Sequence, residues 1–197
     1  MAENIYTHPA RLPESIQGSV VAIGNFDGVH KGHQAVLKSA GRKAKAMGVP
    51  LVALTFDPHP REVLVPQKAP MRLTPLPEKA ALLRHYGADA VYVVPFSLAY
   101  AKTPAGDFIQ TTLQDALRAR HVVVGADFAF GHNREGNVKM LAAEGAARGF
   151  SVEVMPLVAY GGQVVASTRV REYLQHGDIN AARALLGHEI ALLKKET

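Results

Sequence analysis

Residues 23–34 read Ile23-Gly24-Asn25-Phe26-Asp27-Gly28-Val29-His30-Lys31-Gly32-His33-Gln34, and they continue an apolar run that begins at Val20. The run stops at a glycine and a helical pattern starts soon after, which predicts a strand, a tight turn and a helix N-terminus. The first turn of a helix has unpaired N–H groups and the positive end of the helix dipole. Because Gly28 and Gly32 let a ligand approach the backbone closely, the stretch is predicted to bind an anion such as phosphate.

The two histidines of this stretch support the same interpretation. His30 and His33 are three residues apart, so on a helical first turn both imidazoles lie on one face and point toward the N-terminus. We therefore predict that both converge on the anion site. Two surface histidines beside a loop are the alternative interpretation.

Composition limits the class of protein. The 197 residues are 48% hydrophobic, which is ample for the core of one domain, and the net charge of +5 suits an anionic small molecule. The absence of cysteine excludes disulfides, thiolate metal sites and a cysteine nucleophile. Residues 1–17 have no apolar signal core and no later segment is apolar enough to cross a bilayer, so we expect a cytoplasmic protein. Neither a membrane nor a nucleic acid is predicted as a partner.

Strands and helix-length segments alternate along the rest of the chain. The pattern predicts strands at 50–56, 90–94, 121–125 and 150–156, and helices at 34–47, 74–86, 103–118 and 138–148. Thr74 is predicted to cap its helix, Asp57-Pro58-His59-Pro60 to form a stiff loop, and Gly161-Gly162 to form a tight hairpin. Such alternation predicts a parallel α/β sheet covered on both faces, with ligands beyond the carboxyl ends of its strands.

Two further segments are candidate binding elements. Residues 126–137 form a glycine-bounded loop containing Phe128 and Phe130, which either contact a ligand or anchor the loop to the core. Ser167, Thr168 and Arg171 open a short helix near the C-terminus, and we expect the hydroxyls to cap it. A guanidinium at a helix N-terminus is a second potential anion site, and two such sites can hold a polyphosphate.

The usual phosphate-loop, dinucleotide, zinc-protease and lipase motifs are absent from the chain. The remaining chemistry is one that needs no protein nucleophile. Transfer of a nucleotidyl group to a phosphate acceptor fits, because the enzyme then has to align the reactants and stabilise charge.

Residues 24–34 resemble the signature of the adenylyltransferase module of the bacterial bifunctional riboflavin kinase/FMN adenylyltransferases, which are His-x-Gly-His nucleotidyltransferases. The likeness continues through residues 56–60, 125–131, 167–171 and 185–187 and so covers nearly the whole chain. It implies a Rossmann-like nucleotidyltransferase fold, a parallel sheet flanked by helices with a small C-terminal helical segment. It also implies one domain at 1–187, followed by a tail at 188–197. Members of the family usually continue into a riboflavin kinase module, but since this chain ends ten residues after Gly187, we expect no riboflavin kinase domain in it.

The resemblance implies that AMP passes from ATP to FMN, giving FAD and pyrophosphate, with Mg²⁺ accompanying ATP and no metal ligand assigned on the protein. By similarity, His30, His33 and Arg171 would be catalytic. The residues implied in ATP binding are Gly24, Asn25, Phe26, Asp27, Gly32, Ser167 and Thr168. Those implied at the flavin are Phe56, Pro58, His59, Asp127, Phe128 and Phe130.

The chain departs from the family pattern at two positions. Ala166 replaces the first of two serines, and Val164 stands where an arginine is frequent. One phosphate contact is therefore expected to be missing or to be supplied by Arg169. Three alternatives stay open: a different phosphate acceptor, a non-catalytic flavin or nucleotide sensor, and a basic nucleic-acid module.

Overall fold

The computed structural model describes residues 4–8 and 12–193. Its main sheet has six strands, all parallel, in the order β1-β4-β3-β2-β5-β8. These strands are β1 (Ile5–Tyr6), β2 (Val20–Ile23), β3 (Leu51–Asp57), β4 (Ala90–Pro95), β5 (His121–Gly125) and β8 (Ser151–Met155). The predicted parallel α/β sheet is confirmed.

Helices connect the strands and cover the sheet. They are α1 (Lys31–Met47), α2 (Pro60–Leu64), α3 (Leu76–His85), α4 (Ala105–Phe108, continued by a π-helix at Ile109–Ala116), α5 (Val138–Arg148), α6 (Ser167–Gln175) and α7 (Ile179–Leu186). Two small antiparallel hairpins pair β6 (Ala129–Phe130) with β7 (Gly136–Asn137), and β9 (Ala159–Tyr160) with β10 (Gln163–Val164). The hairpin predicted at Gly161-Gly162 is confirmed, as its own two-stranded sheet. No helix in the described part of the chain is long and apolar enough to cross a membrane.

The core lies on both faces of the sheet because the central strands are apolar at most positions, so side chains on both faces are buried. In β2, Val21 and Ile23 face one buried cluster, whereas Val20 and Ala22 face the other. A third cluster packs α6 and α7 against Leu73 and extends to Leu193. The packed unit therefore extends to Leu193, into the segment 188–197 that was expected to be a tail. Residues 194–197 of that segment lie outside the described residues.

Several local predictions were wrong. The stiff loop predicted at residues 57–60 is shorter than expected, because β3 extends to Asp57 and α2 begins at Pro60 with His59 as its N-cap. Thr74 does not cap α3, because its hydroxyl accepts a hydrogen bond from the Gly28 N–H instead. No hydroxyl caps α6 either, since its N-cap is Ala166. Edge strand β1 was not predicted; it lies in the N-terminal segment 1–17, of which residues 1–3 and 9–11 are not described.

The strand order places the candidate site. From β2 the chain builds the sheet in one direction through β3 and β4, and β5 then pairs on the other side of β2. The order therefore reverses between β2 and β5. In open parallel sheets, ligands bind outside the carboxyl ends of the strands at such a switch point. The turn at residues 24–30 and the loop at 126–128 follow the two strands that flank it.

Candidate nucleotide site

The turn at residues 24–30 is held mainly through the carboxylate of Asp27. This side chain is 6% exposed and accepts hydrogen bonds from the backbone N–H groups of Leu73 at 3.0 Å and Thr74 at 3.1 Å. It also forms a buried ion pair with the guanidinium of Arg171. The carbonyl of Asp27 accepts a hydrogen bond from the Ser167 hydroxyl at 2.9 Å. Asp27 thus ties the turn both to the segment before α3 and to α6.

His30 and His33 come together at the start of α1. Their rings are stacked, with centroids 3.6 Å apart and planes at 15°. His30 is the N-cap of the helix, and its Nδ1 accepts a hydrogen bond from the His33 N–H at 3.3 Å. The ring of Phe26 meets His33 edge-on at 5.2 Å and is itself only 1% exposed. The side chain of Phe26, implied in ATP binding, therefore supports His33 from the core side.

Both imidazoles are neutral near pH 7. Burial lowers the pKa of His30 to about 4, opposed in part by its own backbone carbonyl and by Asp27. Burial also lowers the pKa of His33 well below its ordinary value, and the charge of Lys79 and that of His30 when it is protonated act in the same direction. A neutral His30 whose Nδ1 accepts a hydrogen bond carries its proton on Nε2, so Nε2 is left as a donor. The Nδ1 of His33 is buried with no partner among the described residues.

The first turn of α1 supplies backbone donors beside these rings. The N–H groups of Lys31 and Gly32, the first residues of the helix, have no acceptor in the described part of the chain. A Cβ at Gly32 would lie 3.1 Å from the ring of His30 and 3.5 Å from the carbonyl oxygen of Val165. Glycine at this position therefore leaves room for the imidazole. Free amides, a helix N-terminus and donor imidazoles form a cradle suited to an oxyanion.

The start of α6 adjoins this cradle. Arg171 is 8% exposed, and besides Asp27 it contacts the carbonyl of Met71 through Nε at 2.6 Å. The structure thus brings Ser167 and Arg171 to the turn, whereas Thr168 is exposed and its side chain forms no hydrogen bond within residues 4–8 and 12–193. Arg169 is bound elsewhere, with its guanidinium donating to the carbonyl of Val164 and the hydroxyl of Tyr173.

Two aromatic groups lie near the carboxyl ends of β3 and β5, where the flavin is expected to bind. Half-buried Phe56 meets Phe96 edge-on at 6.0 Å near the end of β3. Beyond β5, half-buried Phe128 stacks on Phe130 with centroids 5.3 Å apart. Phe130 is 7% exposed and belongs to the core, so it anchors the loop and Phe128 is the ring left to meet a ligand.

The polar residues implied on this side differ in surroundings. Asp127 is exposed at the start of the loop after β5. Pro58 follows a cis peptide bond and is exposed, and His59 behind it accepts a hydrogen bond from the Arg61 N–H at 3.1 Å. Burial lowers the pKa of His59.

Sequence reasoning missed three residues that shape the site. Arg72 pairs with Asp57 at 3.0 Å and with Glu62 at 2.6 Å, which fixes the end of β3 to α2. Lys79 is buried and donates to the carbonyls of Asn25, in the turn after β2, and Phe56, near the end of β3. The Nε2 of His188 contacts the carbonyl of Gly28 at 3.1 Å. One signal was available for Lys79, namely a lysine on the same side of α3 as the buried Ala80 and Leu83.

A parallel sheet with a switch point and an oxyanion cradle at the N-terminus of α1 defines a nucleotidyltransferase-like α/β protein. A family model for FAD synthetase matches residues 12–169. The chain therefore belongs to the FAD synthetase family.

Individual relatives agree with this assignment. The bifunctional riboflavin kinase/FMN adenylyltransferase of Escherichia coli (strain K12) is 38% identical over 176 residues, which are 89% of this chain and 56% of that protein. A Geobacillus thermodenitrificans protein provisionally given the same name is 40% identical over 91% of this chain and 96% of its own length. A crystal structure described as a macrolide-efflux protein from Streptococcus pneumoniae has a TM-score of 0.79 and 28% identity, covering 93% of this chain and 61% of that one. The chain thus spans about half the length of the E. coli relative.

Proposed function

We propose that this chain is an FMN adenylyltransferase that transfers AMP from ATP to FMN and releases pyrophosphate. The observation that carries the proposal is the pair of stacked imidazoles of His30 and His33 beside the free amides of α1. The likeness to proteins named FMN adenylyltransferase supports FMN as the acceptor.

The reaction forms one bond and breaks one. An oxygen of the FMN phosphate attacks the α-phosphorus of ATP, and the bond between that phosphorus and the oxygen bridging to the β-phosphate breaks, so pyrophosphate leaves. Because the attacking oxygen is already anionic, no protein base is required. The work left to the protein is alignment of the two phosphates and stabilisation of the charge that develops.

The residues of the cradle fit this work. The Nε2–H of His30 and the amides of Lys31 and Gly32 are donors for phosphate oxygens that move toward the leaving group. For His33 we propose Nε2 as the nitrogen that meets the substrate, because its Nδ1 is buried. Arg171 and Ser167 hold the turn at Asp27, so their proposed contact with the outer phosphates would come from the side of α6.

Mg²⁺ fits the site as a companion of ATP. It prefers oxygen ligands and is commonly held by substrate phosphates with only one or two protein carboxylates. The carboxylate of Asp27 is engaged by Arg171 and by backbone N–H groups, so the triphosphate itself is the main ligand we propose. When bound, the ion would offset charge on the departing pyrophosphate.

The flavin would lie between the aromatic groups that follow β3 and β5. Phe56 and Phe128 are both half-buried and would offer ring faces or edges to the isoalloxazine. Pro58, His59 and exposed Asp127 border the same space at the carboxyl ends of these strands. This arrangement would place the FMN phosphate toward the turn at residues 24–30.

The test is direct. Purified protein is incubated with ATP, Mg²⁺ and FMN, and the flavins are separated by chromatography while pyrophosphate is measured. We expect FAD and pyrophosphate in equal amounts. The variant His33→Ala should lower kcat by about 10²-fold, the usual loss when a donor to a transition-state oxyanion is removed. The exposed Lys45→Met serves as a control that should keep full activity.

The same assay separates the alternatives. Pyrophosphate release with phosphopantetheine, nicotinamide mononucleotide or glycerol phosphate, but not with FMN, would replace the acceptor and keep the chemistry. Binding of ATP and FMN without pyrophosphate release would identify a sensor. Unchanged FAD formation by His33→Ala would refute the role assigned to that imidazole.

A further inference from the structure

Lys79 is a buried charged residue for which the proposed reaction has no use. It lies in α3 beside Ala80, on the side that also carries Leu83, and is 5% exposed. Burial lowers the pKa of its ammonium. Charged groups are almost never buried this deeply without a specific partner. The contacts of the ammonium are therefore informative.

The ammonium joins the ends of two neighbouring strands. Its Nζ lies 3.3 Å from the carbonyl oxygen of Asn25 and 3.3 Å from that of Phe56. Asn25 belongs to the turn after β2, and Phe56 is the penultimate residue of β3. The hydroxyl of Thr55 donates to the same Asn25 carbonyl at 3.0 Å. The lysine thus spans the floor between the nucleotide turn and the loop that carries Pro58.

The charge of Lys79 has no dedicated counter-ion. Within the described ranges Lys79 forms no ion pair, and the nearby carboxylates have other cations. Asp27 is paired with Arg171, whereas Asp57 and Glu62 are paired with Arg72. An apolar side chain of similar length would pack in this place without the cost of burying a charge. The donors and the charge therefore call for a functional explanation.

We propose that Lys79 is a positioning residue that fixes the distance between the nucleotide half and the flavin half of the site by holding the carbonyls of Asn25 and Phe56 together. This inference rests on the proposed function, because it assigns Lys79 to the alignment of the two substrates. The ammonium of Lys79 also lies beneath the turn and the strand end that border the proposed site, and both proposed substrates carry phosphate groups. Bound anions would compensate the charge that the protein leaves unpaired.

The proposal makes a specific kinetic prediction. Loss of the bridge leaves each half of the site present but allows their separation to change. A displacement of about 1 Å between reacting groups can cost about 10²-fold in rate, whereas binding of each substrate depends on its own half. Lys79→Met should therefore lower kcat by about 10-fold or more while the KM values for ATP and FMN change by less than about 3-fold.

A second measurement reports on the charge. Burial is the main cause of the lowered pKa of His33, and the nearby charge of Lys79 lowers it further. The charged groups that face Lys79 in turn are Asp27, Asp57, Glu62 and Arg72. In Lys79→Met the pKa of His33 should rise relative to wild type, measured by NMR titration of the ring resonances in the ligand-free protein. Lys79→Gln removes the same charge and keeps an amide donor in place, so a similar rise in that variant would assign the effect to the charge and not to a loss of packing.

The experiment compares the kcat and KM values and the His33 pKa of four proteins: wild type, Lys79→Met, Lys79→Gln and the control Lys45→Met. All measurements are made below the melting temperature of every variant. Lys45 is an exposed lysine on α1, so it tests the loss of a lysine charge without a bridge. Lys79→Gln keeps an amide donor without the charge, and its kcat should lie between those of wild type and Lys79→Met. If wild type forms no FAD, the proposed function fails, and the bridge itself is then judged from the carbonyl carbon NMR shifts of Asn25 and Phe56, the two groups that Lys79 contacts.

The outcomes are decisive. A kcat of Lys79→Met within 2-fold of wild type, or a loss confined to the KM values, would overturn the proposal. If Lys79→Met does not fold, the kcat of Lys79→Gln decides. A kcat lowered about 3-fold or more would support the proposal, and an unchanged kcat would overturn it. If wild type is inactive, carbonyl carbon NMR shifts of Asn25 and Phe56 that are unchanged in Lys79→Met overturn the bridge, and shifts that change in Lys79→Met but not in Lys45→Met support it.

Discussion

Replacing Asp27 by asparagine would test whether the turn at residues 24–30 depends on one buried carboxylate. The substitution keeps the shape of the side chain and removes its charge. The carboxylate accepts hydrogen bonds from the N–H groups of Leu73 and Thr74 and pairs with Arg171. The two charged side chains are only 6% and 10% exposed. In Asp27→Asn the guanidinium would remain buried without a counter-ion.

The expected loss follows from that burial. Removing one partner of a buried ion pair costs about 3–5 kcal/mol, most of it from the charge left unpaired. The amide oxygen of asparagine can still accept one of the backbone hydrogen bonds, which favours the lower end, about 3 kcal/mol. Since a domain is stabilised by only about 5–15 kcal/mol in total, the variant should remain folded but unfold much more easily.

The free energy of unfolding would be measured by urea titration followed by far-UV circular dichroism. Glu144→Gln is the matched control, because its i,i+4 pair with Arg148 has side chains 37% and 26% exposed and should be worth under about 0.5 kcal/mol. The double variant Asp27→Asn/Arg171→Met should recover part of the loss, since it leaves no buried charge. A loss in Asp27→Asn no larger than in the control would refute the reasoning.

Three further predictions concern the same turn and the loop after β5. Burial holds the pKa of His30 at about 4 against 6.5 in the unfolded chain, so the unfolded chain binds more protons between these values. The free energy of unfolding should therefore fall as pH drops through this window, by at most about 3 kcal/mol. When that free energy is measured by denaturant titration at several pH values, it should depend less steeply on pH in His30→Asn than in wild type. An equal dependence on pH in the two proteins would contradict this. Gly28→Ala forces a residue at φ 79° whose Cβ would lie 2.8 Å from a leucine methyl, so calorimetry should show a loss of about 2–3 kcal/mol. The control Gly48→Ala, at φ 63° with nothing within 4 Å, should lose about 1 kcal/mol. Phe130→Ala should cost about 3–5 kcal/mol of stability as a core truncation. Phe128→Ala should mainly raise the KM for FMN in the proposed reaction, and an unchanged KM would remove Phe128 from the flavin site.

The sequence predicted the parts of the fold that depend on local pattern. Continuous apolar runs such as 121–125 are typical of strands buried on both faces, and this strand was located to the residue. Gly48 and Gly187 end their helices in the left-handed conformation, as such glycines do, and the side chain of Asp178 caps α7. The order of strands in the sheet was not predicted, because register between distant segments has no local signal.

The sequence located the candidate site but not the bonds that hold it. His30 and His33 could be paired in advance, because their spacing on one helix determines their relative position. The ion pair of Asp27 with Arg171 joins residues 144 positions apart. The hydroxyls of Thr74 and Ser167 looked like helix caps, yet both bind the turn, because tertiary partners outcompeted the local capping role.

These long-range bonds explain how a strained turn can persist. Phe26 and Val29 have φ values of 50° and 40°, a region that costs a non-glycine residue on the order of 1–3 kcal/mol. Both side chains are fully buried, and the residues between them are fixed through Asp27 and the Gly28 N–H. Contacts with α6 and with the segment before α3 therefore stabilise the strained conformation of the turn. In this conformation the ring of Phe26 packs against the ring of His33. A ligand would meet an imidazole pair already in place, so little of its binding free energy would be spent on ordering the site.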